Sequence, residues 1–253
     1  PLSKEELEFE QFQTVAMFQL RANIDLLKNK KAPESLDTLV EDIIRNYGSL
    51  DHKLRFTQNI RSSGDFVYKH AISVAILSAM ISHALGASHS IQRSIVTAAL
   101  LYDYGYVFVS QEILDKGDNL SPEEAKQIQN HRIAAYETLM QISNDYEFPD
   151  KALAYISQMV RYGTETNLQS LAGDAHIAWL DGTKILQVAD IFDRMTAMRL
   201  HRNPISELQA IRYIKGSPNS YDKDVVAALA ASICILPPGS CVDLNSGEKA
   251  LVI

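Results

Sequence analysis

The stretch Ala98-Ala99-Leu100-Leu101-Tyr102-Asp103-Tyr104-Gly105-Tyr106 sets the strongest constraint on this chain. Small and apolar residues run into a single acid, and three tyrosines and a glycine flank it. A carboxylate at the end of an apolar helix needs a cation, a set of hydrogen-bond donors or a metal, because burying it alone is strongly unfavourable. The fold must therefore bring polar partners to Asp103 from elsewhere in the chain.

The apolar spacing around that stretch is helical. A helical pattern runs from Ser3-Lys4-Glu5-Glu6 to about Lys30, and a second from Ser35 to Gly48. Residues 65–85 and 91–104 read as two long helices, the second apolar all round and so central. Ser121-Pro122-Glu123-Glu124 is a helix start: a capping serine, a proline at the first position and a glutamate three residues on. That helix reads to about Ile142. Further helices are expected over 149–162, 180–200, 205–215 and 222–235, with a short turn at 110–114. The tail alternates around Asn245-Ser246-Gly247, a hairpin pattern. The expected fold is all-α with a small C-terminal β-hairpin. Residues 1–55 form an N-terminal helical segment that packs on the bundle or makes a dimer contact. The main helical domain covers 56–235, and the hairpin 236–253.

Composition narrows the partners. The 253 residues carry a net charge of −7 and no Lys/Arg stripe, which argues against a nucleic-acid duplex. Cys234 and Cys241 lack metal-type spacing and read as free thiols in a reducing cytosol. The apolar run 71–85 is short and interrupted by Ser and His, so no membrane insertion is expected. No signal-peptide pattern opens the chain, and a cytoplasmic location follows as an expectation. Starting at Pro1 and ending inside an apolar run, the sequence reads as a possible piece of a longer protein.

Four polar residues fall inside apolar helical patterns: His70, Asp103, His131 and Asp190. Each lies on a different helix, which is how helix bundles assemble metal sites. Two imidazoles and two carboxylates suit one divalent ion. Taken singly, each is also an ordinary hydrogen-bonded core residue. Without a metal, the two acids need His70, His131, tyrosine hydroxyls, or Arg161 and Arg194 as partners.

The order of these residues, with their neighbours, resembles the HD-GYP domain, the cyclic-di-GMP phosphodiesterase branch of the HD phosphohydrolases. The matching segments are Tyr68-Lys69-His70-Ala71, Ala99-Leu100-Leu101-Tyr102-Asp103-Tyr104-Gly105, and Leu120-Ser121-Pro122-Glu123-Glu124 with Asn130-His131. Val188-Ala189-Asp190-Ile191-Phe192-Asp193 with Thr196, Arg199 and Arg202 matches another, as do 221–226 and the terminal hairpin. The resemblance covers about three quarters of the chain. It implies a metal centre in which His70, Asp103, His131 and Asp190 keep their roles as ligands.

The departures are as informative. The histidine of the family's HD pair is Tyr102, and the adjacent His pair falls near Met159-Val160. The phosphate-contacting lysine is Tyr106, and the G-Y-P triplet is absent after Tyr162-Gly163. Losing these imidazoles removes the donors for a second ion. Met159 is soft, Val160 has no donor, and Tyr102 ligates only if its phenol pKa falls strongly. The expected reading is a degenerate, catalytically inactive HD-GYP-like domain, a regulatory or scaffolding module in cyclic-di-GMP signalling. It carries no cofactor, or at most a single Fe, Mn or Zn ion. Arg199 and Arg202 match basic positions near the family's dinucleotide and are the ligand-binding candidates. Two alternatives stand beside this: an active phosphodiesterase with an altered metal centre, and a protein-interaction domain whose pocket is filled by tyrosines. The partners implied are cyclic-di-GMP or another signalling protein, and a second copy as a homodimer.

Overall fold

The computed structural model describes residues 4–50, 53–54, 63–116, 119–164, 180–197, 203–217, 220–235, 241–243 and 246–251. Arg199, Arg202 and the segment that would hold a G-Y-P triplet lie outside the described residues. Within them the chain forms an all-α bundle with one small hairpin. The helices are α1 (Lys4–Lys28), α2 (Leu36–Tyr47), α3 (Phe66–Ala84), α4 (His89–Leu101) and α5 (Gln111–Leu114). They continue as α6 (Pro122–Ile142), α7 (Ala152–Thr164), α8 (Asp181–Thr196), α9 (Glu207–Lys215) and α10 (Lys223–Ser232). Strands β1 (Cys241–Asp243) and β2 (Lys249–Leu251) pair antiparallel, with Val242 opposite Ala250.

Helix α3 is the axis. Every residue from His70 to Ser82 is buried, and α4, α8, α10, α1 and α2 all pack on it. Its sequence is apolar all round because no face meets water. At Phe66–Ala84 it matches the long helix expected over 65–85. By length and composition it would pass for a membrane-crossing helix, yet 78% of that window is buried inside the bundle, as in the core helix of a globular fold. Gly86 closes it with φ +73°, a backbone region that side-chain-bearing residues disfavour.

Local signals set the ends of the elements around the site. Ser88 caps α4 by accepting from Ile91 N–H. The Ser121 capping box is formed in both directions, Ser121 Oγ with Glu124 N–H and Glu124 with Ser121 N–H. Helix α4 stops at Leu101, earlier than the apolar run suggests. A 3-10 turn over Tyr104–Phe108 follows, leaving Asp103 at the junction with φ −110°. Tyr104 donates its hydroxyl to Ala135 C=O at 2.8 Å and ties this turn to α6. Gly105 lets the two approach: a Cβ there would stand 2.6 Å from His131 O and 2.9 Å from Arg132 Cα. Helix α10 also ends early, because Ile233 leaves it to form a parallel bridge with Leu54. Helices α1 and α2 pack against α3, and their apolar faces belong to the same core.

Candidate metal and charge centre

Helix α3 contributes His70 from near its N-terminal end, 2% exposed and stacked on the Phe66 ring one turn earlier. The end of α4 contributes Tyr102 and then Asp103. Helix α8 contributes Asp190, Asp193 and Arg194, whose spacing of three and four residues places them on one face. Helix α6 contributes Arg132, 4% exposed.

These groups close on one another. His70 Nδ1 meets Asp193 Oδ2 at 2.6 Å, and its Nε2 meets Asp190 Oδ1 at 3.0 Å and Tyr102 Oη at 2.9 Å. Tyr102 donates its hydroxyl to the same Asp190 Oδ1 at 2.6 Å. Arg194 Nε donates to Asp190 Oδ1 and Oδ2 at 2.8 and 2.9 Å, and its terminal nitrogen donates to Asp103 Oδ2 at 3.0 Å. One terminal nitrogen of Arg132 lies 2.9 Å from Asp103 Oδ1. That contact is an ion pair off the hydrogen-bond direction; the same nitrogen donates to Met159 C=O at 3.1 Å.

The electrostatics follow from burial and neighbours. Burial alone would lower the His70 pKa, but its hydrogen bonds to Asp190 and Asp193 outweigh that and raise it. Burial alone would raise Asp190. The Arg194 charge and the His70 contact overcome it and hold the carboxyl below the usual range. Tyr102 is pushed well up, first by burial and then by the Asp190 and Asp103 charges. That direction is opposite to what a phenolate ligand needs, so Tyr102 stays a hydrogen-bond donor. With His70 protonated, three cations (His70, Arg132, Arg194) face three anions (Asp103, Asp190, Asp193).

Of the residues expected from the sequence, His70, Asp103 and Asp190 come together, and their ligating atoms lie within 4.8 Å of one another. The donor types suit one divalent ion. The space, however, is used: Arg194 bridges the two carboxylates, and Asp190 Oδ1 already accepts from Arg194 and Tyr102, with His70 Nε2 3.0 Å away. As arranged, the trio does not fit a metal. The structure does not bring His131 to it. Its half-buried ring stacks on Phe108, centroids 6.0 Å apart, and the next residue, Arg132, faces the centre instead. Met159 and Val160 are buried, 1% and 7% exposed, as part of the core. Tyr106 is half-buried beneath the Arg132 guanidinium, which stands 5.9 Å over its ring. Arg194, a candidate partner from the sequence, is engaged; Arg161 is exposed on α7. Sequence reasoning gave no role to Arg132 or Asp193.

Comparison with known proteins places the chain in a family. The chain is 22% identical to a cyclic di-GMP phosphodiesterase of Pseudomonas aeruginosa over 94% of its own length and 56% of that protein's. It is 26% identical to the 3′3′-cGAMP-specific phosphodiesterase 3 of Vibrio cholerae over 79% of its length and 41% of that protein's. It therefore spans about half the length of these curated relatives. A family model for the HD domain matches residues 55–225. With the His and Asp residues of that match gathered where α3, α4 and α8 meet, the chain belongs to the HD domain family.

Proposed function

We propose that this domain is catalytically silent and works as a regulatory or scaffolding module in cyclic-dinucleotide signalling in the cytoplasm. One observation carries the reading: the positions where the family resemblance expects imidazoles hold groups that cannot complete a metal shell. Tyr102 donates its hydrogen bond to Asp190, and Met159 and Val160 are packed in the core. A hydrolytic centre needs a metal with an open position for hydroxide, and these groups supply neither the second shell nor that position. Relatives named for acting on cyclic di-GMP and 3′3′-cGAMP support the ligand class, a nucleotide second messenger. Arg199 and Arg202 are the proposed phosphate contacts, since guanidinium forks match phosphate oxygens. A second reading, a phosphodiesterase with an altered single-ion centre, has the closeness of His70, Asp103 and Asp190 in its favour.

The test uses protein purified without chelator, assayed with cyclic di-GMP and 3′3′-cGAMP in the presence of Mn, Fe(II) or Mg. No linear dinucleotide should form. Turnover that disappears in His70→Ala would establish the second reading and end the first. Calorimetry with each dinucleotide then separates a receptor from a scaffold. Heat lost in Arg199→Ala and Arg202→Ala marks a receptor, and no heat at millimolar ligand marks a scaffold.

A further inference from the structure

The centre described above holds cations of its own. Arg194 places its Nε 2.8 and 2.9 Å from the Asp190 oxygens and a terminal nitrogen 3.0 Å from Asp103 Oδ2. Those carboxylates, with His70, are the donors a divalent ion would need. We propose that Arg194 is a built-in replacement for the metal: its guanidinium holds His70, Asp103 and Asp190 together and keeps divalent ions out. The proposal rests on the silent-domain reading and adds the means by which silence is enforced.

Three physical features support it. The first is origin. Arg194 lies four residues after Asp190 on α8, so helical geometry sets the cation on its acceptor. An ion can be lost to a chelator; this charge is part of the chain. The second is balance. Arg132 and Arg194 carry two positive charges that do not titrate near neutrality, and they already face the Asp103 and Asp190 carboxylates. A divalent ion added beside them would leave excess positive charge in a buried site. The third is saturation. Asp190 Oδ1 accepts from Arg194 and Tyr102 at 2.8 and 2.6 Å, and His70 Nε2 stands 3.0 Å from it. A metal would have to break these contacts to reach that oxygen. A guanidinium also has no open coordination position and does not release its proton at neutral pH, so it organises the donors without generating a nucleophile.

The experiment compares wild type, Arg194→Ala and Arg194→Lys. Each is purified without chelator, titrated with Mn²⁺ or Zn²⁺ by calorimetry, and analysed for bound metal. Wild type and Arg194→Lys should each hold less than about a tenth of an equivalent, because both keep a cation there. Arg194→Ala should take up about one equivalent. Its melting temperature should rise with added metal while wild type's does not, since a ligand of the folded state stabilises it. Adding His70→Ala to Arg194→Ala should abolish uptake. If Arg194→Ala is too unstable for calorimetry, metal-dependent recovery of cooperative unfolding is the readout. Stoichiometric metal in wild type, or neither uptake nor recovery in Arg194→Ala, overturns the proposal. Those outcomes are separate from the hydrolysis assay. A wild type without turnover whose Arg194→Ala ignores metal keeps the silent-domain reading and sinks this one.

Discussion

Replacing Arg132 by leucine tests which residue of α6 belongs to the centre. Arg132 is 4% exposed, and one of its nitrogens lies 2.9 Å from Asp103 Oδ1 and 3.1 Å from Met159 C=O. Removing one partner of a buried ion pair costs about 3–5 kcal/mol, because the other charge stays behind. Asp103 keeps Arg194 at 3.0 Å, so the lower end applies, about 3 kcal/mol. For a chain of this size that corresponds to a fall in melting temperature of about 6–12 °C. His131→Ala removes only a half-buried ring stacked on Phe108, for which about 0.5–1 kcal/mol is expected. Urea denaturation of both variants gives the comparison. A double-mutant cycle of Arg132→Leu with Asp103→Asn isolates the pair and should show coupling of at least about 1 kcal/mol. The reasoning fails if His131→Ala costs as much as Arg132→Leu, or if the cycle shows no coupling.

Other consequences can be measured on the same protein. Gly105→Ala forces a Cβ to 2.6 Å from His131 O, so α6 must shift away from Asp103; a loss of about 1–3 kcal/mol in chemical denaturation is expected, and an unchanged midpoint contradicts the close approach. Because the folded-state pKa of His70 is raised, its stabilisation is complete below its ordinary value of 6.5 and is lost as pH rises through the higher folded value. Asp190 runs the other way: its contribution is present above its ordinary 3.8 and is lost in acid. Urea midpoints across pH should therefore fall on the alkaline side in wild type but not in His70→Gln, and equal slopes in the two proteins would refute the assignment. Restoring imidazoles through Tyr102→His, Met159→His and Val160→His together with Arg194→Ala should raise metal content above that of Arg194→Ala alone; elemental analysis showing no increase would count against placing the lost His pair at 159–160.

The fold was legible because its signals are local. The Ser121 capping box, the apolar run that becomes α3 and the alternating tail that pairs as β1 and β2 each act within a few residues, and each appears in the structure where the pattern put it. Boundaries set by tertiary contacts were less legible. Helix α4 yields to a 3-10 turn because Gly105 must reach the α6 backbone, and α10 stops where Ile233 pairs with Leu54. Neither cause lies within the helix concerned.

The centre divides along the same line. His70, Asp103 and Asp190 stand out because each interrupts an apolar helical pattern, and a buried polar group has to find partners. Arg132 was hidden by the phase of its helix. The buried stripe of α6 runs back from Ile142 through Leu139 to Ala135, and the next step is either three or four residues. Four gives His131 and three gives Arg132. Periodicity allows both, and the resemblance favoured the histidine. What decides is the contact of α6 with the Tyr104–Phe108 turn, through Gly105 and the Tyr104 hydroxyl, which rotates Arg132 toward Asp103 and leaves His131 against Phe108. Asp193 was hidden differently. It was visible as a second acid three residues after Asp190, but only the α3–α8 packing shows that it is fully buried against His70 Nδ1. Its presence changes the chemistry of the imidazole. With carboxylates at both nitrogens, protonated His70 is a cation among carboxylates, a poor starting point for a metal ligand, which must offer a free lone pair. Thus a histidine that matches a ligand position by sequence is held in the structure by the hydrogen bonds of an ion-paired core.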